Sequence, residues 1–255
     1  MPLNRARALT GRDRSAHADR QLGLTLAFVA GATNAGGFLA VHQYTSHMTG
    51  IVSAMADNLA LGAYELAAAG TAALLSFVAG AACSAVMINW ARRRRMHSEY
   101  ALPLLVEAFL LLGFGLLGAW LTRVEAFFVP FTVMLLCFIM GLQNAVITKL
   151  SRAEIRTTHI TGIVTDIGIE LGKLAYWNGQ KKSELRPIVR ADRARLMILT
   201  LLALSFFGGG LIGALGFKVL GYVSTVPLAI VLIALAGVPA YDDIAAAWRR
   251  RAGGP

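Results

Sequence analysis

Thr45-Ser46-His47-Met48-Thr49-Gly50 recurs as Thr157-Thr158-His159-Ile160-Thr161-Gly162, and Ile-Val follows each copy, at Ile51-Val52 and Ile163-Val164. Upstream of each stands a second shared signature, Gly31-Ala32-Thr33-Asn34-Ala35 and Gly141-Leu142-Gln143-Asn144-Ala145. The same polar residues and glycines thus fall at matching places in two halves of a chain that is otherwise apolar. Such self-similarity predicts an internally duplicated architecture.

The composition fixes the class. Of 255 residues, 56% are hydrophobic and only 15% are charged, which is far too little charge for a soluble domain of this length. Six apolar runs stand out, approximately Leu22 to Val41, Leu66 to Trp90, Ala101 to Leu121, Phe127 to Lys149, Leu196 to Phe217 and Val223 to Ala240. Each approaches or exceeds the roughly 20 residues that cross a hydrocarbon core. Short alternating segments, the mark of a β-barrel, are missing. The run after Gln21 follows a basic tail but is as long as a full span and lacks a small-x-small cleavage site, so it reads as an uncleaved first helix.

The net charge of +10 gives orientation. With both ends of the chain cytoplasmic, every one of the 24 Lys and Arg residues except Arg123 and Lys218 faces the cytoplasm. Contact with anionic headgroups accounts for the basic segments; nucleic acid is excluded as a partner because no recognition motif accompanies them. Two shorter segments, about Thr49 to Tyr64 and Thr161 to Tyr176, follow the repeated motif. If the first crossed completely, Arg92 to Arg95 would be carried to the outside, so both are expected to be re-entrant half-helices. The expected fold class is therefore an all-α polytopic membrane protein, with six transmembrane helices plus two re-entrant half-helices in 3+3 inverted-topology repeats. Its parts are a basic cytoplasmic tail (1–21), a first repeat (22–126), a second repeat (127–240, with a cytoplasmic basic segment at 177–195) and a cytoplasmic tail (241–255).

The candidate site comes from the duplicated polar residues. Ser and Thr hydroxyls can cap the helix that follows by accepting its free N–H groups, and a helix N-terminus attracts anions. An ionisable or polar group at membrane depth is costly and usually faces a cavity. The expected substrate-binding residues are Asn34, Thr45, His47, Thr49, Gly50, Asn144, Thr157, His159, Thr161 and Gly162, meeting near the midplane. The bland account of the hydroxyl residues is capping and packing. Asp57 and Asp166 are the expected proton-coupling carboxylates; Glu170 reads as an interfacial carboxylate, solvated or paired with Lys173, and Glu107 as a group that snorkels or pairs with the Arg92 to Arg95 cluster. Gly113-Phe114-Gly115-Leu116-Leu117-Gly118 matches a dinucleotide fingerprint but lies mid-span without a preceding strand, so it reads as a packing surface, as do Gly209 and Gly213. No catalytic, cofactor or metal residues are expected, since no nucleophile–base, P-loop or zinc-ligand spacing occurs. Cys83 and Cys137 lie inside apolar runs, so no disulfide framework is expected.

The Gly-x-x-Asn-Ala segments, the two Thr-x-His-x-Thr-Gly copies and the six-span layout resemble the YoaK-type family of bacterial inner-membrane proteins, over roughly Gln21 to Ala240. The resemblance implies a plasma-membrane location and supplies no substrate or catalytic residue. The functional expectation is a secondary transporter or permease for a small, possibly anionic solute, with proton coupling, a lipid bilayer as its surroundings and homo-oligomerisation left open. The rival is a non-transporting scaffold or regulatory membrane protein, which requires the half-helices to be packed shut. Fold-level analogy alone does not decide between them.

Overall fold

The computed structural model describes residues 16–96, 98–121, 125–150, 160–176 and 189–252. These form eight α-helices and no strand: α1 (Ala16–Val41), α2 (Met48–Ala60), α3 (Tyr64–Arg93), α4 (Ala101–Leu121), α5 (Glu125–Leu150), α6 (Ile160–Ala175), α7 (Arg193–Leu220) and α8 (Thr225–Ala252), with a 3₁₀ turn at Gly221–Ser224. Helices satisfy their backbone polar groups internally, which is the condition for crossing lipid. Five helical stretches are long and apolar enough to cross a membrane, so the chain is a multi-pass membrane protein. The last of them, Arg193–Asp243, has 51 residues, which as one straight helix would measure about 76 Å. It is broken at Gly221, whose φ of 60° permits the turn, and its two helices pack on different partners.

Several helices extend past the apolar runs that mark them in the sequence. Helix α1 (Ala16–Val41) extends before the apolar run from Leu22, and α8 (Thr225–Ala252) extends beyond the run that ends at Ala240. Helical hydrogen bonding does not stop at the hydrocarbon boundary, because water and headgroups tolerate a helix as well as lipid does. Pro239 inside α8 does not end it. The half-helix α2 ends at Ala60, before Gly62, whose φ of 75° reverses the chain into α3.

Contacts between the helices fix their directions. α1 and α7 run parallel: the Ser205 hydroxyl donates to the Leu24 carbonyl (2.7 Å), and Phe217 covers Gly36 at the far end. α3 and α5 also run parallel, joined by Lys149 Nζ donating to Asn89 Oδ1 (3.0 Å). α4 is antiparallel to both α5 and α8, with Tyr222 and Thr225 beside Gly118 and Gly115, and Asp243 beside Ser98. The dinucleotide-like glycines are thus partly a packing surface, as expected, although Gly113 meets nothing. α1 and α5 are central, with 61% of their apolar windows buried, whereas α3 is peripheral at 22%. The largest buried cluster joins α1 (Leu22, Leu26), α4 (Leu104, Leu111), α5 (Ile139, Met140) and α8 (Leu228, Leu232).

Within lipid no hydrophobic force distinguishes a helix partner from a lipid tail, so close backbone approach must hold the bundle together. Four helices carry the same device. Phe28-x-x-Gly31, Phe77-x-x-Gly80, Phe138-x-x-Gly141 and Phe206-x-x-Gly209 share one spacing. Gly31 lies on the Phe206 carbonyl while Gly209 lies on that of Phe28; Gly141 lies on the Phe77 carbonyl while Gly80 lies on that of Phe138. A methyl group at any of the four would overlap a backbone oxygen. Each parallel pair is therefore an interlock of two glycines and two carbonyls, and the device was not read from the sequence.

Candidate functional site

The polar signature sits where α1 stops. His42 takes a left-handed φ of 53°, Tyr44 stacks on Phe38 with ring centroids 4.4 Å apart, and the chain turns back on the helix. Ser46 donates twice to Asn34 Oδ1, from its backbone N–H (3.3 Å) and from its hydroxyl (2.9 Å). Asn34 precedes the end of α1 by seven residues, so the connection re-enters the bundle by about 10 Å before α2 begins. α2, at 13 residues, is about 20 Å long and returns antiparallel to α3, with Met55 over Gly70 and Ile51 buried in a cluster with Ala73 and Val133. Its end thus lies at the end of the bundle where α1 stops and α3 begins.

The hydroxyl groups do not cap α2 as expected. The N-cap is His47, and no side chain accepts there. Ser46 is committed to Asn34, Thr45 is fully buried with its hydroxyl unpartnered, and Thr49 is exposed in the first turn. Anchoring the loop to α1 satisfies two backbone-depth polar groups at once, and this outweighs one capping bond. Gly50 has a steric role: the His47 ring folds over the first turn of α2, and a side chain at position 50 would strike it.

A cleft of about 600 Å³ opens above this turn, between the end of α1, α2, the start of α3 and the start of α5. His42, Gln43, Tyr44, His47 and Asn58 supply its polar groups, and Phe38, Met55, Leu66, Val133 and Met134 much of its apolar wall. Val41, Ile51 and Val133 of its wall belong to a buried cluster with Phe114, Leu136 and Phe217.

The second copy lies elsewhere. Thr157 and His159 are outside the described residues. Thr161 and Gly162 are exposed in the first turn of α6, and Asn144 is half-buried, with Nδ2 donating to the Met140 carbonyl one turn back on its own helix (2.8 Å). α6 runs antiparallel to α7, at the end of the bundle where Arg195 lies: Ile163 shares a cluster with Leu199, and Asp166 pairs with Arg195 (3.0 Å). Among the described residues, Asn144, Thr161 and Gly162 of the second half do not line the cleft. The half-helices sit at opposite ends because each packs on the long helix that follows it, and those helices, α3 and α7, run in opposite directions.

The carboxylates divide by environment. Asp57 is exposed on α2. Glu170 is buried, accepting from Lys173 Nζ (2.7 Å) and from the Asp192 backbone N–H (2.7 Å). Lys173 foremost, and then the Asp192 amide, hold its pKa below the ordinary value. Asp192 in turn caps α7 by accepting from the Arg195 N–H (2.9 Å). Glu107 corrects the expectation of a snorkelling group: it is fully buried, and Gln143 Nε2 donates to its Oε1 (2.8 Å). Of the arginines it was expected to meet, Arg92 pairs with Glu99 (2.8 Å) and Tyr100 (2.7 Å), and Arg94 lies over the Trp90 ring. Gln143 lies within the second Gly-x-x-Asn-Ala signature, which was the one sequence signal available for this pair.

Comparison with known proteins places this arrangement. A family model described as "Protein of unknown function (DUF1275)" matches residues 22–238, nearly the whole of the helical bundle. The chain belongs to this family. It is also similar to the "UPF0700 transmembrane protein YoaK" of Bacillus subtilis (strain 168), at 26% identity over 165 residues, covering 64% of this chain and 72% of that protein. No solved structure matches. Membership in the family adds no substrate.

Proposed function

We propose that this member of the family is a secondary transporter or permease of the bacterial plasma membrane for a small hydrogen-bonding solute, anions included. In this reading α1, α3, α4, α5, α7 and α8 make six crossings, with both ends of the chain and the Arg92–Arg95 end of the bundle in the cytoplasm. The halves α1–α4 and α5–α8 are inverted-topology repeats. Three features support the repeat: matching polar signatures, two parallel glycine interlocks, and half-helices at opposite ends. Inverted repeats with interrupted helices recur in carriers, where irregular backbone at membrane depth lines a solute site.

One observation carries the reading: the re-entrant turn opens a cleft of about 600 Å³, into which His47 and Asn58 face from a half-helix. That volume lies in the range of small-molecule sites. In this reading the solute meets the cleft groups His42, Gln43, His47 and Asn58, with Asn34, Thr45 and Ser46 in the adjoining turn.

The test is uptake by the purified chain in proteoliposomes, screened across solute classes with and without a pH gradient. His47→Ala should remove uptake of any active solute while leaving the helical content and thermal stability unchanged. Uptake that survives the substitution undiminished removes the histidine from the site, and a screen with no active class leaves the non-transporting scaffold as the better account.

A further inference from the structure

The Glu107–Gln143 pair lies outside the cleft and has no place in the reading above. Glu107 follows Tyr100 by seven residues, so it stands about 10 Å into the bundle from the end where Tyr100 accepts from Arg92 and donates to the Lys149 carbonyl. Both side chains are fully buried in the central cluster, with Leu104, Ala108 and Leu111 on α4 and Met140 and Leu142 on α5 around them. Gln143 Nε2 satisfies one carboxyl oxygen. Two buried oxygens remain unpartnered: Oε2 of Glu107 and Oε1 of Gln143.

That pattern of unmet groups decides the chemistry. An ionised carboxylate can only accept, and it needs donors or a cation on both oxygens when buried. Here one oxygen has a donor and the other has none. Arg92 of α3, Lys149 of α5 and Asp243 of α8 are engaged elsewhere: Arg92 with Glu99 and Tyr100, Lys149 with Asn89, and Asp243 with Ser98. Tyr222 of the 3₁₀ turn lies at the other end of α4, against Gly118. A proton on Oε2 turns that acceptor into a donor, and the partner's own unmet oxygen is an acceptor. A neutral acid facing a primary carboxamide is a two-way hydrogen-bonding pair that needs no third group.

We propose that Glu107 and Gln143 form an intramembrane proton-binding site, with the carboxyl group neutral at physiological pH. The exchange is simple: the Oε2–H bond breaks, the proton passes to water, and the carboxylate then requires new donors. The apolar seal around the pair means that this exchange waits on separation of α4 from α5. Use of the site to couple transport to a proton gradient rests on the carrier reading; the site itself does not.

Infrared spectroscopy of the full chain in liposomes tests it. At about pH 7, well above the ordinary carboxyl range, the protein should show the carbonyl band of a protonated carboxylic acid, shifting when water is exchanged for D2O. Glu107→Gln, which mimics the neutral acid in shape, should fold normally and lose that band. Gln143→Leu should keep the band but move it to higher frequency, as a carbonyl without its donor requires. Absence of the band in the wild-type chain, or its persistence in Glu107→Gln, overturns the proposal. So does a titration that moves when sodium replaces N-methylglucamine, since that marks a metal-cation site. A solute screen without an active class would count against the carrier reading and leave this result standing.

Discussion

Gly141→Ala tests the interlock of α3 and α5. Its new methyl group would lie inside van der Waals contact with the carbonyl oxygen, carbonyl carbon and Cα of Phe77. All three are backbone atoms, so no rotamer change relieves the overlap, and the helices must part by about 1 Å. A gap of that size forfeits a quarter to a half of each affected dispersion contact. Overpacking of this kind costs about 1–3 kcal/mol, and a rigid neighbour puts the expected loss near the upper figure. Gly113→Ala is the matched control, because a Cβ there meets nothing within 4 Å. It exchanges a poor helix former for a good one and should gain up to about 1 kcal/mol. The two variants should therefore differ by about 4 kcal/mol when unfolding is followed by circular dichroism during titration of mixed micelles with sodium dodecyl sulfate. The Gly80→Ala/Gly141→Ala double variant should lose less than the two single losses together, since helices already parted accept a second methyl cheaply. If Gly141→Ala and Gly113→Ala agree within about 0.5 kcal/mol, the interlock does not hold the bundle.

Asn34→Ala should free the re-entrant turn by removing both Ser46 bonds, at about 1–3 kcal/mol. Thr45→Cys, unreactive to a membrane-impermeant maleimide in the parent, should then be labelled about tenfold faster or more in the Asn34→Ala background. Glu170 supplies a pH dependence. Its folded-state pKa lies below the ordinary value, so its stabilisation is complete above the unfolded carboxyl range and fades as pH falls through the folded pKa. Thermal stability of the wild type should exceed that of Glu170→Gln at neutral pH, with the gap closing only in acid; a gap that instead widens in acid would contradict the ion pair with Lys173. Asp243→Ala should loosen the start of α4, because Asp243 Oδ2 accepts from both the N–H and the hydroxyl of Ser98; faster amide exchange at residues 98–102 would register the loss.

Much of this molecule was legible residue by residue. Long apolar runs and their composition give an all-helical multi-pass membrane protein, and the short segments expected at about Thr49 to Tyr64 and Thr161 to Tyr176 are the short helices Met48–Ala60 and Ile160–Ala175. These features depend on length and local polarity, which any window of sequence displays. The site was harder to read. Asn34 was singled out for recurring, yet its partner Ser46 and the uncapped start of α2 follow from the path of the turn between them. Glu107 was read from its distance to the Arg92–Arg95 cluster along the chain, whereas its partner is Gln143 on the next helix.

The amino-acid order by itself determined that the chain is helical, with several stretches long and apolar enough to cross a membrane. Only the tertiary structure decided which helix faces which: Gly31 with Phe206, Gly80 with Phe138, Glu107 with Gln143. The physical reason is the solvent. In lipid the outward face of a helix is as apolar as the inward one, so hydropathy carries no record of rotation or neighbour, and partners are chosen by backbone fit and buried hydrogen bonds.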